Sequence, residues 1–359
     1  LDSVMCEYNT AIEGGVLFAF NLVYIKVLCS KFTRNKANEF GSIGGSVFGL
    51  DSISNVEIKS SSFHGNMAGS NGGVILASEI TDFTINASMF ANNRAKAHGG
   101  FVSGKLILFL EIISSTFANH SSKQYGSIIY LSESGTVLIA WSRFAGNSAK
   151  KGSCLYLYGS HQSKQISIIS SNFSSNYASK GGGDLYVMQY IAVILFKCFF
   201  NKSLTISGEG GSAVFQTVKH VKICNTQHKY SIAMNSHGGC LFAYATKSLL
   251  IKNSSFHRCH SGQKGGGLFL GGHEKTECLI NIENVTFIQN LAKSEGASFY
   301  IKMISNITVV SNKFIHNFAY ESGGAFSVFL SPYYMSEIII MACLFHGNVA
   351  KRAASTMSI

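Results

Sequence analysis

Apolar residues two positions apart, followed by a polar turn, recur from one end of the chain to the other. In Val56 to Leu76, Val56 and Ile58 alternate with polar neighbours. Phe63, Asn66 and Ala68 follow, and Gly72-Gly73 opens a new apolar run at Val74. A period of two with β-branched side chains is a strand signal. Anchored on Phe63, the register is read at Cys6, Phe32, Phe90, Phe117, Phe144, Phe173, Cys198, His228, Phe256, Phe287, Phe314 and Phe345, giving 13 copies spaced 25 to 31 residues apart. Three residues on stand Asn9, Asn35, Asn66, Asn93, Asn147, Asn176, Asn201, Asn290, Asn317 and Asn348, replaced only by His120, Ser231 and Cys259. Five after each anchor is Ala or Ser, from Ala11 to Ala350, and two before it is often Ser, as at Ser30, Ser61, Ser88, Ser115, Ser142, Ser171 and Ser254.

A unit of at least two short strands cannot bury its apolar face alone. Stacked in parallel, such units give each strand a neighbour above and below and enclose a continuous core. The pattern therefore predicts one all-β domain over residues 1–359, a right-handed parallel β-helix of about 13 coils, with each slot becoming a ladder along the axis. Phe is expected inside, Ala where walls approach, and Asn at a bend with left-handed backbone. Gly pairs (Gly14-Gly15, Gly44-Gly45, Gly72-Gly73, Gly99-Gly100, Gly182-Gly183, Gly210-Gly211, Gly238-Gly239, Gly323-Gly324) supply the other corner. At ordinary strand spacing the rise predicts a rod of about 58 Å. Neither end reads as capped, so the chain is expected to be a fragment of a longer one, or to meet further coils or other chains through open ends.

The motif F-x-x-N-x-A followed by G-G-x-h-x-h resembles the repeats of the chlamydial polymorphic membrane proteins and of similar large surface proteins in protists. The resemblance covers essentially the whole chain. It implies a pectate-lyase-like β-helix exposed at a cell surface, adhesive or structural. G-G-V, G-S and G-G-hydrophobic often replace the family's G-G-A-I, and no membrane-inserting barrel follows, so autotransporter behaviour is not implied.

Composition narrows the chemistry. The chain is 46% hydrophobic and 13% charged, with 36 glycines and only Pro332, which fits a ladder needing nearly every amide. Apolar runs such as Gly14 to Cys29 are broken by Asn21 and Lys26, short of the clean run a spanning helix needs. No membrane span is expected. Enzymes on this fold need clustered carboxylates, whereas Asp2, Asp51, Asp82 and Asp184 are dispersed and the glutamates scattered. The reading is therefore non-catalytic, with no cofactor or metal. His257-x-Cys259-His260 alone has metal-like spacing, but Cys259 stands in the ladder slot of Asn and reads as turn packing.

The net charge of +11 points to solubility or an anionic partner. Lys96, Lys123, Lys150, Lys180, Lys264, Lys293 and Lys351 all fall in the turn after the Ala slot, forming a candidate basic stripe for anionic glycans or simply a solvated corner. Nucleic acid is not expected, since no aromatics interleave the stripe. Of nine cysteines, Cys6/Cys29 or Cys198/Cys224 are the candidate bridges. Sequons stand at Asn86, Asn119, Asn172, Asn201, Asn253, Asn284 and Asn306. Asn201, in the ladder slot, is not expected to carry sugar; the others are candidate glycosylation sites that suit a secretory route. Loop length varies most between the Gly strand and the next apolar pair, where Tyr333-Tyr334 is a candidate contact. The expectation is an extracellular structural or adhesive rod, the alternatives being a carbohydrate-binding or glycan-modifying β-helix and an intracellular scaffold.

Overall fold

The computed structural model describes residues 1–359 except 13, 39–44, 161–162, 273–276, 331–335, 355 and 359. Tyr333-Tyr334 and Gly44 thus lie outside the described residues. The chain divides into two compact units, Leu1–Tyr177 and Ala178–Ile359. Among the described residues there is no helix, and both units are right-handed parallel β-helices.

A coil of the first unit shows the construction. Ser62–His64 forms the anchor strand, Met67–Ala68 a two-residue strand, and Ile75–Asn86 a long third strand. Each pairs in parallel with its equivalent one coil on, Phe63 against Phe90, Ala68 against Ala95 and Ile75 against Val102. Each coil, expected to hold at least two strands, holds three, on three sheets. In the second unit the third strand is split, as in Leu268–Gly271 and Leu279–Glu283.

Inward positions are those the period of two selects. Phe63, Ala68, Ile75, Phe83 and Ile85 are all buried. Anchor rings stack along the axis at 4.7, 5.1, 4.8, 5.1 and 4.6 Å from Phe32 to Phe173. In the second unit the column runs Phe200, His228, Phe256, Phe287, Phe314, Phe345. The column corrects one anchor: Phe200, not Cys198, pairs with His228. Cys198 instead takes the hydroxyl slot, its amide donating to Thr226 Oγ1. The Asn slot of that coil is consequently Ser203, and Asn201 stands two residues ahead of it, half-buried and off the ladder.

The Asn side chains carry the axial hydrogen bonds. Oδ1 of Asn66 accepts from the backbone N–H and Nδ2 of Asn35 at 2.9 and 3.0 Å. Its Nδ2 donates to Phe32 O and Asn93 Oδ1 at 3.1 and 2.9 Å. The left-handed backbone expected at Asn belongs instead to the residue before it, Arg34, Gly65, Asn92 and Asn119 among others. That residue points outward and makes the bend, leaving Asn in ordinary backbone with its amide turned in to fill the bend's unmet polar groups. A serine ladder runs alongside: the amides of Ser30, Ser61, Ser88, Ser115 and Ser142 each donate to the next hydroxyl at 3.1 to 3.2 Å.

At the glycine corner, Gly72, Gly99, Gly126, Gly182, Gly210 and Gly238 have φ of 57 to 67°. Register places Gly45, not Gly44, opposite Gly72, so the second position holds Ser46 in that coil and Ser127 and Ser153 later.

Candidate functional site

The ladder is interrupted in three successive coils of the second unit. Where Ser203, Ser231 and Cys259 replace Asn, the residue following an earlier Gly pair changes with them. Ser203 Oγ donates to Asp184, Ser212 Oγ donates to Ser231 Oγ at 2.7 Å, and Cys240 is disulfide-bonded to Cys259. Every pair is 19 residues apart, so one position of the interior is closed in turn by a hydroxyl–carboxyl hydrogen bond, a hydroxyl–hydroxyl one and a covalent bond. Neither expected cysteine bridge forms. Cys29 is exposed at a left-handed corner while Cys6 occupies an anchor slot, and register sets Cys224 beside Phe196 instead of Cys198. The disulfide also uses Cys259 of the metal-like spacing, and among the described residues no His, Cys, Asp and Glu group could hold a metal ion.

His228 stands in the aromatic column between Phe200 and Phe256 at 4.6 and 4.8 Å. Among the described residues neither ring nitrogen has a hydrogen-bond partner, and burial pushes its pKa down to about 3. The unfolded chain binds a proton below the ordinary value near 6.5. Stability of the second unit is therefore complete above that pH and falls as pH drops toward 3, by about 1.4 kcal/mol per pH unit from this group. Burial also lowers His237 and His260, steepening the slope. His228→Phe is expected to raise stability at pH 5 by about 2 kcal/mol more than at pH 8, as read by denaturant titration at both pH values.

Outward-facing side chains of the third strand form columns too. Four residues after the corner glycine, Phe242 stacks on Phe269 at 4.9 Å and Phe269 on Tyr300 at 5.4 Å. Two positions further, Tyr244, Gly271, Lys302 and Phe329 occupy one column. The rung at Gly271 has no side chain, so Tyr244, 41% exposed, has no rung above it and leans over Gly271. A half-open cavity of 470 Å³ lies here, bounded also by Glu209 and His237. In the first unit the same slots, including Tyr130 and Lys105, line a cavity of 320 Å³.

The basic stripe is only partly assembled. Lys96 and Lys123 share a column in the first unit, whereas the bridge between Tyr125 and Lys151 sets Lys150 beside Gln124, to which it donates. In the second, Lys293 and Lys351 share that slot with Tyr320 between them; Lys180 and Lys264 fall further along the turn. Lys264 pairs with Glu295 at 3.2 Å. Of the sequons, Asn119, Asn172, Asn253, Asn284 and Asn306 are exposed and Asn86 is half-buried. Asn284 donates to Asn253 across adjacent coils at 2.9 Å. No described helix is long and apolar enough to cross a membrane.

Comparison with models of known families, with curated proteins and with solved structures gives no match to this chain.

Proposed function

We propose that the chain is an extracellular β-helix that serves as a structural scaffold and an adhesive surface, without chemistry of its own. The observation that carries this reading is the use of the repeated slots. Asn, Ser and Phe side chains meet their own kind one coil away, so repetition builds a stiff support and leaves recognition to outward columns. Likeness of the repeat to polymorphic membrane protein repeats suits a surface role. The Cys240–Cys259 bridge fits an oxidising compartment, and the exposed sequons fit a secretory route.

Peptide mapping of protein isolated from its source cells, under non-reducing conditions, tests the compartment. The expected result is a linked Cys240–Cys259 peptide and N-glycan on Asn172 or Asn306. Two alkylatable thiols at 240 and 259 with every sequon bare would instead support an intracellular scaffold.

A further inference from the structure

We infer that the cavity at Gly271 is a binding slot for one neutral pyranose ring of a glycan. The inference gives the adhesive reading its ligand class and rests on it.

The slot follows from the ladder that builds the outer face. In a continuous column each ring is covered by the next rung, roughly 4.8 Å along the axis. Gly271 omits one rung between Tyr244 and Lys302, and the Tyr244 ring leans into that space over Gly271. The exposed Tyr244 ring thus floors the 470 Å³ cavity, which accepts one sugar ring laid flat against it. A Cβ on Gly271 would fall 2.5 Å from Tyr244 Cδ2 and 3.4 Å from Phe269 Cε1, so a side chain there displaces the exposed Tyr244 ring from the slot. Gly272 beside it is the more tightly held, its Cβ falling 1.8 Å from the Met303 backbone oxygen. Phe242 and Phe269 form one wall and exposed Phe329 the far lip.

The rim selects the kind of ring. Glu209 supplies a carboxylate acceptor, Lys302 an ammonium donor, and His237, whose pKa burial lowers and whose Nδ1 accepts from the Lys264 amide at 3.3 Å, an Nε2–H donor. Lys264, close to this edge, is already compensated by Glu295 and hydrogen-bonded to Tyr300 Oη at 3.2 Å. The charges of Glu209 and Lys302 cancel, so the rim does not favour an anion. A mixed set of donors and acceptors around an aromatic floor matches a ring with an apolar C–H face and hydroxyls at its edge. Neutral sugar is therefore the ligand class here, not the anionic glycan that the net charge left open beside plain solubility.

Calorimetric titration of the purified chain with hexasaccharides of glucose, mannose, galactose and N-acetylglucosamine, with hexagalacturonate, and with N-acetyltryptophanamide tests the assignment. At least one neutral hexasaccharide should bind saturably, with a Kd in the range of about 0.1 to 5 mM expected of a single-ring site. Tyr244→Ala, at an exposed position, should weaken that binding by about tenfold or more. Gly271→Val should abolish it while circular dichroism shows the fold retained, and Lys105→Ala in the first unit should leave it unchanged. The proposal is overturned if no neutral sugar binds, if hexagalacturonate or the aromatic amide binds more tightly, or if Tyr244→Ala and Gly271→Val bind as the parent does. Because the titration uses purified protein, it fails or succeeds independently of the disulfide and glycan mapping that tests the compartment.

Discussion

Replacing Gly99 by Ala should lower the stability of the first unit by at least about 3 kcal/mol, through left-handed strain plus a backbone clash. Gly99 has φ 62°, but left-handed backbone alone does not decide the matter. Ala87 and Ala245 adopt φ of 46 and 56° at other corners. What excludes a methyl at Gly99 is the overlap: its Cβ would lie 2.1 Å from Val102 O and 2.7 Å from Ser103 N. Those atoms belong to the strand the corner introduces, so relief must displace a rung of the sheet. Gly65→Ala is the internal contrast. Gly65 has φ 66°, but a Cβ there would meet nothing nearer than Arg34 Cγ at 3.4 Å, so only the left-handed strain of about 1 to 2 kcal/mol remains and the loss should be clearly smaller. Urea titration followed through Trp141, the chain's single tryptophan and a residue of the first unit, reads both. Equal losses would show that backbone overlap is not what excludes a methyl at Gly99.

Much of this architecture was legible because the same demand is repeated coil after coil. A buried Phe slot and an alternating strand leave the same residues at the same spacing, and Phe63, Ala68 and Gly72 stand in register with Phe90, Ala95 and Gly99 of the next coil. Errors arose where two residues competed for one slot. Cys198 and Phe200 both fit an anchor, and Asn201 falling three after Cys198 favoured the wrong one; a column of rings demands the aromatic. Asn tolerates a left-handed bend, yet in thirteen coils it is the residue before the slot that turns, and in the nine with Asn in the slot the amide faces the axis. The disulfide was missed although its signal was present. Ser203, Ser231 and Cys259 each follow by 19 residues a polar residue or Cys after a Gly pair. The notch at Gly271 was less accessible, because a missing rung is visible only once outward columns are in register.

The ladder of buried Asn side chains is the central claim, and Asn66 is its most informative rung. Fully buried, it makes four side-chain hydrogen bonds spanning three coils, to Asn35, Phe32 and Asn93. Truncation to Ala removes all four and leaves the backbone N–H of Asn35 and the Phe32 carbonyl without this partner, away from the surface. Unmet buried groups cost about 1 to 3 kcal/mol each, and a cavity adds to that. Asn172 is the matched control, because it is exposed and outside the ladder. The decisive measurement is the urea unfolding of Asn66→Ala beside Asn172→Ala, followed through Trp141. The account predicts a loss of about 3 to 5 kcal/mol for the first and less than about 0.5 kcal/mol for the second. A loss below about 1 kcal/mol at Asn66, within the range of one ordinary hydrogen bond, would contradict the ladder as what holds successive coils together.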